Sequence, residues 1–127
     1  MATLTEAFAA FNADPTNVRY SWSAVSRDRK QLVCTLWQHE FRPGGKDYPL
    51  WIKEANPTST GYREHERLVR QAIVQSMPII DFLVIATNPG ARDTKVKEAL
   101  VDRVFHLKVS HDTPAEVIAR VERVAPR

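Results

Sequence analysis

The chain has 127 residues, with 18 basic against 15 acidic side chains, a net charge of +3 and an apolar fraction of 43%. That length suits one domain, residues 1–127, with a real core and no room for a second. A single cysteine, Cys34, excludes an internal disulfide and a cysteine pair for a metal, and no apolar run nears the roughly 20 residues of a membrane span. No basic start followed by an apolar stretch marks a signal peptide, so the expectation is a reduced, cytoplasmic protein with no membrane partner.

Thr3 to Ala13 reads as a short helix, in which Leu4, Phe8 and Phe11 recur at helical spacing and Asp14-Pro15 ends the run. Arg19 to Ser26 reads as a strand, Arg27-Asp28-Arg29-Lys30 as a turn, and Gln31 to Phe41 as a second strand completing a hairpin. After the turn Pro43-Gly44-Gly45, Tyr48 to Ala55 is a third strand, closed by the loop Asn56 to Gly61. A helix is predicted over Tyr62 to Met77, with Tyr62, Val69, Ala72, Ile73 and Met77 on one face and Pro78 at its end. Ile79 to Thr87 is nearly all apolar, as in a strand buried on both faces. Beyond Asn88-Pro89-Gly90, Thr94 to Leu100 reads as a brief helix and Arg103 to Val109 as the last strand. Pro114 opens a final helix with Val117, Ile118 and Val121 inward. The predicted order is α-β-β-β-α-β-α-β-α. This is an α+β fold: an antiparallel three-stranded meander extended by a β-α-β unit, with helices packed on the sheet.

Side chains alternate along a strand, so each face can be read separately. Leu32, Cys34 and Leu36 share one face of the second strand and Trp37 the other; Leu50 and Ile52 oppose Trp51 and Lys53 on the third. Trp37 and Trp51 therefore fall away from the aliphatic core, while the face of Trp22 is undecided. Two readings stay open. A terminal helix covers this aromatic face, or the face is a platform on which a base stacks.

Arg63, Arg67 and Arg70 recur at i, i+4 and i+7, on one side of the predicted helix. They form either a solvated face, with Glu66 paired to Arg70, or a set of phosphate contacts that Arg19, Arg27, Arg29, Lys30, Arg42 and Lys46 at turns would extend. The element order invites comparison with nucleases built on an α-β-β-β-α-β core. Those carry an acidic residue two places before a strand lysine, and here Trp51 holds that place before Lys53. His39-Glu40, His65-Glu66 and His111-Asp112 are adjacent pairs without zinc spacing, and Cys34 on an aliphatic face reads as a buried thiol. No serine elbow or glycine-rich phosphate loop is present. The reading contains no catalytic residues, no metal and no cofactor.

Asn17-x-Arg19-x-Ser21-Trp22-Ser23-Ala24-Val25, Leu36-Trp37 with Phe41 after it, and Gly61-Tyr62-Arg63-Glu64-His65 form one set. Over roughly residues 17 to 110 it resembles small bacterial domains found alone or fused ahead of restriction-type endonucleases. The resemblance implies a module that reads modified DNA, with any cleavage supplied by a separate effector protein. The leading expectation is thus a non-catalytic binding module for nucleic acid. Trp22, Trp37 or Trp51 would stack on a base, and Lys53, Arg63, Arg67 and Arg70 would meet the polyanion. The alternatives are an accessory, protein-interacting component of a phage or defence system, and a divergent nuclease-like fold lacking the metal motif.

Overall fold

The computed structural model describes residues 4–13, 23–42, 46–53, 60–87 and 96–127. Within them the order is α1 (Leu4–Ala10), β1 (Ser23–Val25), β2 (Leu32–Trp37), a 3-10 turn (Gln38–Glu40), β3 (Asp47–Ile52), α2 (Thr60–Val74), β4 (Ile79–Ala86), β5 (Val96–Asp112) and β6 (Glu116–Pro126). The six strands form one sheet in the order β1-β2-β4-β5-β6-β3. Only β2 and β4 are parallel, with Leu32 opposite Ile79 and Trp37 opposite Val84; every other neighbouring pair is antiparallel.

The sheet curls on itself. Tyr48 lies on the edge strand β3, yet its hydroxyl accepts a hydrogen bond from the backbone N–H of Trp37 on β2, near the other edge, at 3.0 Å, and donates one to Glu40 at 3.2 Å. Bulges make the curl. A straight strand of 17 residues would run about 55 Å, too long for a globule of this size. Register breaks along β5, at Asp81/Leu83 and Ile85/Ala86 opposite β4 and at His106/Leu107 and Val109/His111 opposite β6, bend it round.

Each face of the sheet carries its own core. On the concave side Leu32, Cys34, Leu36, Tyr48, Leu50, Trp51, Ile79, Leu107, Val117 and Ala119 close around Leu68, Val69 and Ala72 of α2. On the convex side Val33, Ile80, Phe82, Val84 and Ala99 receive Ala7, Phe8 and Phe11 of α1. Phe82 meets Phe8 edge-on at 5.1 Å and stacks on Phe11 at 5.5 Å.

These pairings overturn the α+β expectation. The molecule is mostly β, and its described residues contain two α-helices, one on each face, where four were expected. The β1–β2 hairpin forms, but the third strand does not continue a meander: β3 pairs with β6, across the sheet. Of the helix expected over Thr94 to Leu100, residues 96–100 are strand and the rest lie outside the described residues. The final helix expected after Pro114 is strand β6. Val117, Ile118 and Val121 fit a helical face by spacing, yet a hairpin partner decides the matter. Thr113 closes the turn, its N–H donating to the Glu116 carbonyl at 3.0 Å and its hydroxyl accepting from the N–H groups of Ala115 and Glu116. β-Branched residues then pair along β5.

Trp37 and Trp51 do not share a face. Trp37 packs against the convex cluster, whereas Trp51 lies in the concave core. The bulge between Pro49 and Trp51 is the cause: the extra residue, Leu50, breaks the alternation, so Leu50 and Trp51 both turn inward.

Candidate nucleic-acid interface

The β1–β2 turn is built by its own side chains. The Ser26 hydroxyl donates to Asp28 at 2.5 Å and accepts from the Gln31 N–H at 3.3 Å, while Asp28 also accepts from the Lys30 N–H at 3.0 Å. These hydrogen bonds favour ionised Asp28 and hold its carboxyl below the ordinary aspartate value. Arg29 adopts a left-handed conformation with φ 59°, which a non-glycine residue takes at a cost of about 1 kcal/mol. Arg27 is anchored to Asn12, its N–H to the Asn12 carbonyl at 2.8 Å and its guanidinium to the side-chain oxygen at 3.2 Å.

Beside this turn runs α2, whose inner face is buried through His65, Leu68, Val69 and Ala72. Between the two lies a cleft of about 420 Å³, lined by Ala24, Val25, Ser26, Arg27, Arg29, Arg67, Leu68 and Gln71. Among the described residues three arginines line it and no carboxylate does; Asp28 is taken up by the turn. A second depression of about 470 Å³ on β6 holds Lys46, Arg120 and Arg123 together with Glu122. Its cations are partly engaged already, Arg120 with Asp47 at 3.5 Å and Arg123 with His106 at 3.2 Å. The two depressions differ in charge, since a carboxylate, Glu122, lines the second and none of the described residues lining the first is acidic.

The residues singled out by sequence are dispersed. Arg67 lines the cleft, with Arg27 and Arg29 from the turn beside it. Arg63 is exposed on α2, Lys53 is exposed just past β3, and Trp22 and residues 54–59 lie outside the described residues. Trp51 is 6% exposed and Trp37 half-buried. Arg70 is committed to the fold: it pairs with Asp112 and, at 3.7 Å, with Glu66, donates to the Thr113 carbonyl at 2.7 Å, and stands 5.1 Å over the Trp51 ring. It thus ties α2 to the β5–β6 turn. Arg70→Met is expected to cost about 1–2 kcal/mol and to speed hydrogen exchange at the Ala115 and Glu116 amides. Unchanged exchange there would remove the tether.

Sequence reasoning passed over Ser23, Asp81 and the inward role of His65. Ser23, Cys34 and Asp81 are register neighbours across β1, β2 and β4, all buried on the concave side. His65 of α2 closes onto this row: its Nε2–H donates to the Leu50 carbonyl at 2.6 Å, and its Nδ1 accepts from the Ser23 hydroxyl at 2.8 Å. Burial lowers the His65 pKa to about 4, so the ring is neutral and this tautomer follows from its partners. Burial also pushes the Cys34 thiol and the Asp81 carboxyl well above their ordinary values. Neither Asp81 oxygen has a hydrogen-bond partner among the described residues. A serine held by histidine has the outline of a nucleophile, but Ser23 is 1% exposed and His65 3%, so neither meets a substrate. The pair is a buried peg joining β1, α2 and β3. Its one legible signal was Asp81, a lone acid inside the apolar run Ile79–Ala86.

Among the described residues no group of three or more histidine, cysteine or acidic side chains is placed to hold a metal, and no helix is long and apolar enough to cross a membrane. Comparison with protein-family models, curated proteins and solved structures found no match. Fold and surface alone define the class: a mostly β chain whose curled mixed sheet grips one helix, with a basic cleft along that helix.

Proposed function

We propose that this chain is a non-catalytic binding module that contacts nucleic acid through the cleft between the β1–β2 turn and α2. One observation carries the reading: Arg27, Arg29 and Arg67, distant in sequence, line a single cleft whose walls hold no carboxylate. Phosphate oxygens are the natural partners of such a set, since guanidinium groups bind them by paired, charge-assisted hydrogen bonds. The net charge of +3 favours approach to a polyanion. The resemblance to modified-DNA reading modules points the same way. Stacking on Trp51 has no part in this reading, because the ring is 6% exposed beneath Arg70. Any cleavage of the bound strand belongs to a separate effector protein, and the cytoplasm, where Cys34 stays reduced, is the proposed location.

The test is fluorescence anisotropy of a labelled 20-base-pair duplex between 50 and 200 mM KCl. Two to three phosphate contacts give a slope of log K against log salt of roughly −2 to −3, and Arg29→Ala should lessen it by about one. Arg67→Ala should weaken binding about tenfold. Absence of binding at 50 mM, or an unchanged slope in Arg29→Ala, would sink the reading.

A further inference from the structure

We propose that α2 is a recognition helix that enters the major groove of duplex DNA, with Arg67, Gln71 and Val74 reading base edges while Arg27 and Arg29 hold the flanking phosphates. This rests on the nucleic-acid reading above and sharpens it from a charged contact to a sequence-reading one.

The helix has two faces. His65, Leu68, Val69 and Ala72 are buried, whereas Arg67, Gln71 and Val74 are exposed. At 100° per residue these three fall within about 60° of arc, so they form one stripe. Glu64 and Glu66 lie to either side of it, and Glu66 is paired with Arg70. The stripe presents one cation, one amide and one methyl-bearing side chain, with Glu64 about 20° beyond Gln71 on one side and Arg63 about 20° beyond Val74 on the other.

Those side-chain types match what a major groove displays. Arginine meets O6 and N7 of guanine, glutamine meets N6 and N7 of adenine, and an apolar group meets the thymine methyl. Val74 is the most exposed large hydrophobic among the described residues, at 84%. One exposed valine is ordinary on a surface, but here it continues a polar reading stripe. The spacing agrees as well. From Arg67 to Val74 the helix rises about 10 Å, close to three base-pair steps of about 3.4 Å. Arg67 and Gln71 also line the cleft that carries Arg27 and Arg29, so a strand gripped by the turn would run alongside the stripe.

Duplex DNA is the partner that fits. The deep, narrow major groove of duplex RNA shuts side chains out. A single strand is normally held by stacking on exposed rings, and among the described side chains the ring under Arg70 of α2, Trp51, is buried.

Selection of the full chain against a randomised duplex tests this. The expected result is a preferred run of about three base pairs containing guanine and adenine on one strand. Gln71→Ala should abolish the adenine preference, a loss of about tenfold against the wrong base, and Arg67→Ala the guanine preference. Gln75→Ala, beside the stripe, should keep the selected sequence. These exposed positions leave the core intact, so misfolding does not cloud the result. Salt-dependent binding with no enriched sequence would overturn the recognition helix and leave the phosphate-binding function standing. A preference untouched in both the Gln71 and Arg67 variants would also overturn it, as would equal binding of the selected sequence as duplex RNA. No duplex binding at low salt would fail the underlying reading and take this inference with it.

Discussion

Asp81→Asn is expected to change how stability depends on pH. The Asp81 carboxyl is fully buried, has no hydrogen-bond partner among the described residues, and titrates well above its ordinary 3.8 because burial disfavours the charge. Above pH 3.8 the unfolded chain gives up a proton that the folded chain keeps. Stability therefore falls as pH rises, by about 1.4 kcal/mol per unit, until the buried carboxyl itself ionises. His65 works in the opposite sense. Its pKa drops from 6.5 to about 4, so between those values the unfolded chain binds the extra proton and stability rises with pH. Above about pH 4 the two slopes oppose each other for as long as Asp81 stays protonated in the folded chain.

Asparagine at position 81 removes one side of this balance. The variant should gain about 3 kcal/mol between pH 4 and 6.5 and then level off. Urea unfolding at half-unit pH steps, read by tryptophan fluorescence, measures it, and subtracting the two curves cancels all other titrations. A flat difference curve would show that Asp81 is ionised in the folded state.

The second large effect is expected at His65. His65→Ala leaves the Leu50 carbonyl and the Ser23 hydroxyl without their partner and opens a cavity between α2 and the sheet. Orphaned buried groups cost about 1–3 kcal/mol each and a cavity of this kind adds to that, so the total should reach about 3–5 kcal/mol. Against a domain stability of about 5–15 kcal/mol that is a large share. Ser23→Ala should cost only about 1–2 kcal/mol, and the double variant should lose less than the sum of the two. His65→Ala also removes the contribution that opposes the Asp81 slope, so stability should fall with rising pH between pH 4 and 6.5. A loss below about 1 kcal/mol would mean that the imidazole is not the peg joining β1, α2 and β3.

Much of the local structure was legible because its causes are local. The spacing of Leu4, Phe8 and Phe11 marked α1, the polar Arg27 to Lys30 marked the hairpin turn, and the apolar run from Ile79 marked a buried strand. The errors cluster where a distant partner decides. Residues 96–100 and Val117 to Val121 satisfy helical spacing in isolation, and only pairing of β5 with β4 and with β6 makes them strand. Of the site, Arg67 and the turn arginines Arg27 and Arg29 could be named as members of one phosphate-contacting set, but not as the walls of one cleft. Gln71 had no signal at all until α2 was seen beside the turn. The burial of Trp51 was decided by a bulge at Leu50, which no alternation pattern reveals.

By itself, then, the sequence determined composition, charge, most of the elements before β5, the lone thiol, and the lack of familiar catalytic motifs, because each follows from residue type or short-range spacing. Tertiary structure alone decided that β3 crosses to β6, that Trp37 and Trp51 belong to different cores, and that Ser23, Cys34, Asp81 and His65 meet under α2. It also decided that three arginines from two elements share one cleft. The physical reason is common to all four. Strand pairing and helix docking join residues tens of positions apart, and their energies depend on the partner rather than on the segment.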